Sequence, residues 1–466
     1  MASTFNILIF VLYLFFYFLI SNNLIDDFGG YIYLSAPIIL IIIIILNYRR
    51  YKSIFHILNI FNFSSLLFFF GSPLINLFLA QENFILESIV VKEFSKRDLD
   101  FCSIIVLISL SVINFSSGLN INFLSFSNAD SSHTKFNNYL FKVGSILMIT
   151  SLPFIIVLII FQIQYLLEAG YLSIYNGDIS NVAYPIPFLS YVTYPFFYGF
   201  CLICSAVPTQ KIFNRFFIIL FCISIFESFK GGRFSLVAPI LYFFWFSTLV
   251  YRTNFKLKKL LIPLVLLISL ISFLTLNREK SESSVDLNKV AFSIIASQGR
   301  SVQLFSLYLE NKAQVENYGK YMITSNLLLP YLVLRYPSKI FQSQNTETVM
   351  ISNNFKDIIT YVLSPDYYLS GGGMGGTYIV ELYELGLLFS IFFSFIFGIF
   401  LYNLSKLTIV SAFFRFISYF LFLYIFIMPR AEALPNFLNL IKLGFVYLLL
   451  KFVFVFYNKI GSQKYD

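Results

Sequence analysis

Ser370-Gly-Gly-Gly-Met-Gly-Gly-Thr-Tyr-Ile-Val-Glu-Leu-Tyr-Glu384 closes a mixed polar stretch, residues 277–381, in a chain that is otherwise mostly apolar. Spans only have to satisfy the bilayer, which many sequences do, whereas a large loop set between spans must fold and act, so function is sought there first. Outside the loop the composition decides the class. With 58% hydrophobic residues, 12% charged residues and a mean hydropathy of +0.80, the chain has too few charged groups to coat a soluble globule of 466 residues. It reads as an all-α polytopic integral membrane protein.

Apolar runs long enough to cross a bilayer predict spans at 4–21, 31–47, 58–80, 101–117, 139–163, 187–207, 211–226, 236–250 and 258–276 before the loop, and at 382–403, 408–428 and 436–457 after it. That is about twelve transmembrane helices, divided as 1–276, the loop 277–381 with amphipathic surface helices, and 382–466. Cytoplasmic connections retain Lys and Arg. The basic connections are the even-numbered ones, holding Arg49, Arg50 and Lys52; Lys135; Lys211 and Arg215; Arg252, Lys256, Lys258 and Lys259; and Lys406. The odd-numbered ones are acidic or balanced, with Asp26 and Asp27 in the first and nine basic against nine acidic residues within 277–381. The large loop is therefore expected to face outward, with both termini cytoplasmic. The net charge of +9 is this topological signal rather than a mark of nucleic-acid binding. The N-terminal Met-Ala-Ser-Thr lacks a basic n-region, so the first span is read as retained.

Several chemistries are excluded. The two histidines, His56 and His133, fall in cytoplasmic connections, and no phosphate loop, dinucleotide fingerprint or zinc-helix motif is present. Cys201-x-x-Cys204 lies within a span and reads as helix packing, so neither metal nor cofactor is expected. Energy for a reaction must then come from an activated substrate.

Four segments carry candidate chemistry. In Glu227-Ser-Phe-Lys-Gly-Gly-Arg-Phe-Ser235, two glycines bring Lys230 and Arg233 close together at the membrane face, a pair suited to a diphosphate; a snorkelling pair capping two helices is the competing reading. Ser297-Gln-Gly-Arg-Ser301 opens an amphipathic pattern through Val302, Phe305, Tyr308 and Leu309, with Arg300 at its head as a phosphate or sugar ligand or an interfacial anchor. The stretch from Tyr321 to Lys339 reads as a surface-lying helix ending at Pro337, with Arg335 a secondary candidate. The cluster Gly371, Gly372, Gly373, Gly375 and Gly376 precedes a helix from Thr377 and permits close approach of a bulky anionic ligand, or serves as a hinge. Tyr378, Glu381 and Glu384 follow. One carboxylate there is a candidate base, with charge stabilisation of the helix as the alternative. Arg430 adds a cation on the last outward connection, while Arg415 and Lys442 fall inside spans and are expected to snorkel or pair.

Gly231-Gly-Arg-Phe-Ser235, Ser297-Gln-Gly-Arg-Ser301 with Tyr308 to Asn311, and above all Gly371 to Gly386 together resemble the Wzy-type O-antigen or capsular repeat-unit polymerases of bacteria. The resemblance implies a GT-C-like helical glycosyltransferase of the bacterial inner membrane, without cofactor. It implies transfer of a growing glycan from undecaprenyl diphosphate to a sugar hydroxyl of the next lipid-linked unit on the periplasmic face. Lys230, Arg233 and Arg300 would stabilise the departing diphosphate, with Glu381 as base. The remaining expected ligands of the substrate are Gly371, Gly372, Gly373, Tyr378, Glu384, Arg335 and Arg430. The implied partners are the undecaprenyl-diphosphate-linked oligosaccharide and the bilayer, with a chain-length regulator and a flippase as candidate proteins. Two other readings stay open. A lipid-linked oligosaccharide flippase would draw on Arg415 and Lys442; an O-antigen ligase fits less well, because its family pattern includes a loop histidine.

Overall fold

A computed structural model of the chain describes residues 2–79, 94–119, 121, 132–169, 193–228, 233–255, 295, 298–335 and 344–462. The described residues are helical and include no strand. Eight helices among them are long and apolar enough to cross a membrane. The first five long helices are α1 (Ala2–Ser21), α2 (Tyr31–Tyr51), α3 (Ile57–Leu79), α4 (Lys96–Ser116) and α5 (Ser132–Ala169). Then come α6 (Thr193–Ala206), α7 (Gln210–Ser228) and α8 (Arg233–Val250), which answer the runs expected at 187–207, 211–226 and 236–250. The run expected at 258–276 lies outside the described residues.

The loop holds short helices: α9 (Ser301–Glu310), α10 (Lys312–Glu316), α11 (Ser325–Arg335), α12 (Thr346–Ser352), α13 (Phe355–Leu363), α14 (Pro365–Leu369) and α15 (Tyr378–Glu384). The last three long helices are α16 (Leu387–Val410), α17 (Ala412–Ile427) and α18 (Phe437–Ser462), with a 3-10 turn, Met428–Arg430, after α17. The run expected at 382–403 begins at Leu387 instead. Gly386 takes φ 97°, a left-handed-side conformation that ends α15 and re-aims the chain. Glu381 and Glu384 thus sit on a separate helix, outside the span.

α4 is the hub. It is almost wholly buried and packs against α1, α2, α16 and α9. Its two ends are tied differently. At one end the Asp100 carboxylate accepts Gly30 N–H (2.9 Å) and Tyr33 N–H (3.0 Å), which seats the start of α2. At the other, Asn114 binds Asn47 of α2 (2.6 Å) and exchanges amide bonds with Asn62 of α3 (2.8 and 3.0 Å). Between apolar helices such amides have few alternative partners. Asn114→Leu should therefore strand the amides of Asn47 and Asn62 and lower stability by about 1–3 kcal/mol, read as an earlier thermal unfolding midpoint of the purified protein.

Hydrogen bonds also tie helix termini in pairs beside several of the basic residues. Arg50 donates to Gly118 O (2.7 Å), and Tyr251 at the end of α8 donates to Pro208 O (2.9 Å) just before α7. Arg415 is buried among carbonyls, with Nε on Ser205 O (3.0 Å) and a terminal nitrogen on Ile409 O (2.9 Å). It caps the last carbonyls of α6 and α16, the groups a helix end leaves unpaired. Lys442 lies over the Tyr194 ring, 5.4 Å from its centre.

Candidate functional site

The glycine cluster lies between α14 and α15. Gly371 (φ 91°) and Gly375 (φ 88°) both occupy backbone conformations that L side chains rarely adopt, which is where this loop requires glycine. Gly372 rests on the Tyr367 ring, where a Cβ would land on its carbons, while Gly373 faces open space. Met374 N–H donates to the Thr360 hydroxyl (3.1 Å) and Gly376 N–H to Arg430 O (3.3 Å), so the loop is strapped to α13 on one side and to the turn after α17 on the other. Of the two adjacent tyrosines, Tyr368 is buried against Tyr361 and Tyr367 is half-buried.

Two arginines converge on this loop from opposite parts of the chain. The Arg430 side chain runs along Gly375, whose added Cβ would lie 3.2 Å from its Nε. Its terminal nitrogen binds the Gln298 carbonyl (3.0 Å) and the Gln298 side-chain oxygen (2.8 Å). Gln298 stands two residues before Arg300. Arg300 is half-buried, its Nε has no hydrogen-bond partner among the described residues, and burial draws its pKa down while the nearby Tyr367 opposes this. Gly299 between them explains the motif's spacing. Its backbone lies against Gly71 and Ser72 at a kink in α3, where Phe70 leaves helical geometry (φ −127°, ψ 20°) just before Pro73. α9 then packs among α3, α4 and α15, with Val302, Phe305 and Tyr308 fully buried.

The expected carboxylates are engaged. Glu381 is 1% exposed and accepts the Ala433 N–H (2.8 Å). Burial pushes its pKa well above the ordinary carboxylate range, against the Ala433 bond, with Glu432 and Glu384 adding to the rise. Glu384 accepts Tyr321 N–H (2.6 Å) and Met322 N–H (2.8 Å), one on each oxygen, and so anchors the turn before α11. Burial raises it too, in spite of those two bonds. Tyr378 is fully buried, with its hydroxyl 3.2 Å from that of Ser109 on α4.

Sequence reasoning passed over a second polar group beside the loop. Glu432 Oε1 lies 3.4 Å from Lys356 Nζ and accepts the Asn354 amide (3.0 Å). Burial alone would raise Glu432. The Lys356 ammonium and the bonds from Asn354 and its own backbone outweigh this and hold the carboxyl below its usual range. Glu432 in turn raises Lys356, against the pull of burial. Lys356 also borders the glycine loop, its Cβ 3.6 Å from where a Gly376 Cβ would sit. The one signal available was adjacency: Glu432 stands two residues after Arg430, in a segment dense in Pro and Ala.

Other expected site residues are placed less fully. α7 ends at Ser228 and α8 begins at Arg233, but Lys230 and the Arg233 side chain lie outside the described residues. α11 reaches Arg335, whose side chain is likewise outside them. No three His, Cys, Asp or Glu residues gather in a metal-holding group among the described residues. The arrangement can therefore bind an anion through Arg300 and Arg430, offer an aromatic face at Tyr367, and present a paired carboxylate at Glu432.

Compared with known proteins, residues 3–460 match the family described as O-antigen polysaccharide polymerase Wzy. No curated protein and no solved structure matches.

Proposed function

The chain belongs to the O-antigen polysaccharide polymerase Wzy family, and from that premise we propose that it joins undecaprenyl-diphosphate-linked repeat units on the periplasmic face of the bacterial inner membrane, as a GT-C-like glycosyltransferase. The growing glycan passes from its lipid diphosphate to a sugar hydroxyl of the next unit. The observation that carries this reading is that Arg430 lies along the glycine loop and holds Gln298, two residues before Arg300, while Arg300 neighbours Tyr367 beneath Gly372, at one end of a bundle of membrane-length helices.

A leaving diphosphate gains negative charge as its bond to sugar breaks. Guanidiniums held in place by the fold stabilise that charge without reorganising. Partial burial strengthens their field. Gly373, open to space, lets the headgroup approach the backbone, and Tyr367 suits a sugar face. Lys230 and Arg233 join the cation set in this reading. The periplasmic placement rests on the basic residues, Arg49, Arg50, Lys211, Arg215, Arg252 and Lys406 among them, which belong to the connections at the opposite end. A flippase is less well supported, because Arg415 is bonded to helix-end carbonyls and Lys442 stacks on Tyr194.

The test is the surface polysaccharide of a deletion strain, complemented at matched membrane expression with wild type or Arg233→Ala. The expected result is a polymer ladder with wild type and single-repeat product only with the variant. If the deletion strain displays no single repeat at its surface, the polymerase reading gives way to flippase or ligase.

A further inference from the structure

We propose that Glu432, held by Lys356 and Asn354, is the carboxylate that takes the proton from the acceptor sugar hydroxyl. This rests on the polymerase reading and moves to Glu432 the role that the sequence placed on Glu381.

The segment after α17 presents Glu432 rigidly. Ala433 N–H is bound by Glu381 (2.8 Å), Ala433 O accepts the Tyr424 hydroxyl, and Leu434 O accepts the Asn326 amide (2.8 Å). On the other side, Arg430 O accepts Gly376 N–H (3.3 Å). Glu432 is thus fixed between clamped neighbours, two residues after the arginine that meets the glycine loop. Asn354 caps α13, accepting Lys356 N–H (3.1 Å) with its oxygen and donating to Glu432 Oε1 (3.0 Å) with its nitrogen. Lys356 Nζ approaches the same Oε1. Both side-chain contacts fall on Oε1, and we place the acceptor hydroxyl at Oε2.

The other carboxylates fit the role less well. Glu381 is too buried to touch a substrate, and it acts as a positioning residue through Ala433. Glu384 uses both oxygens on backbone N–H groups. Glu432 keeps 20% of its side chain exposed, and Lys356 half of its own, so the pair opens to solvent from within the site. Its lowered pKa keeps it ionised at neutral pH.

In the step itself, the acceptor oxygen forms a bond to the anomeric carbon of the donor glycan while the bond from that carbon to the diphosphate oxygen breaks. The electron pair leaves on undecaprenyl diphosphate, beside Arg300 and Arg430. The hydroxyl proton passes to Glu432 Oε2 and then to water.

The experiment uses the full-length protein in phosphatidylethanolamine–phosphatidylglycerol nanodiscs, with lipid-linked repeat units extracted from the deletion strain. Polymer formation and binding of the lipid-linked unit are measured separately across pH. Glu432→Gln is expected to cut kcat by roughly 100-fold or more with binding little changed, and to remove the acid limb of the rate profile. Glu381→Gln keeps an amide oxygen for Ala433 and is expected to retain that limb.

Lys356→Met leaves the carboxylate but removes its ammonium partner. It should move the acid limb to higher pH, since the ammonium that favours the carboxylate is gone while Asp357 on α13, Glu381 on α15 and Tyr424 on α17 remain beside Glu432, with Arg430 two residues away in sequence in either case. A Glu432→Gln enzyme with near wild-type kcat and an intact acid limb overturns the proposal. Should that variant fail to fold, an unshifted limb in Lys356→Met overturns it instead. Absence of polymer with wild type, despite binding, would sink the polymerase reading and is visible before any variant is compared.

Discussion

Arg300→Ala combined with Arg430→Ala is expected to abolish polymer formation, with each single change costing roughly 100- to 1,000-fold in rate, the range typical of removing one fixed donor from a developing negative charge. The loss should fall on kcat more than on binding of the lipid-linked unit, because the charge grows as the diphosphate departs. The two positions should differ in detail. Arg300 is half-buried, with an Nε that has no hydrogen-bond partner among the described residues, so Arg300→Lys retains charge but loses the planar fork and should recover little. Arg430 also holds Gln298, so Arg430→Ala should disturb the approach of Arg300 as well as remove its own charge. Single-turnover release of undecaprenyl diphosphate measures this directly. Near wild-type release from the double variant would remove the arginines from the mechanism.

Gly299→Ala should be the most damaging single-methyl change in the loop. The new Cβ would land on the backbone of Gly71 and Ser72, and backbone at a helix kink cannot move aside as a flexible side chain can. Overpacking of this kind costs about 1–3 kcal/mol or more, and here it also displaces Gln298 and Arg300 from Arg430. Reduced yield of folded protein and loss of the polymer ladder are expected together. Gly373→Ala is the control for folding alone, since its Cβ would meet nothing within 4 Å. A Gly299→Ala protein with wild-type thermal stability and ladder would show that α3 and the loop do not depend on this contact.

Much of the bundle was legible because its determinants are local. Apolar runs at 31–47 and 408–428 became α2 and α17 with shifts of a few residues, since length and hydropathy suffice to define such helices. Arg415, read as snorkelling or pairing, found carbonyls at two helix ends rather than a carboxylate, a choice that depends on which helices meet there. The carboxylates show where local reading stops. Glu381 and Glu384 do lie one helical turn apart, as their spacing required. Burial and the partners Ala433, Tyr321 and Met322 come from segments far along the chain, and spacing carries no information about them.

The sequence by itself determined that this chain carries membrane-length apolar helices, and that a cluster of glycines precedes the short segment bearing Glu381 and Glu384. It also carried the family resemblance that the comparison with known proteins bears out. Those properties follow from hydropathy, charge and motif spacing, which act over a few residues at a time. Only the tertiary structure decided that Arg430 meets the segment leading to Arg300. Arg430 and Gln298 are 132 residues apart, and they touch because Gly299 fits against the kink of α3 while Gly375 lets the loop pass beneath the guanidinium. The pairing of Lys356 with Glu432, 76 positions apart (432 − 356), has the same origin, since an ion pair forms wherever packing brings its partners together.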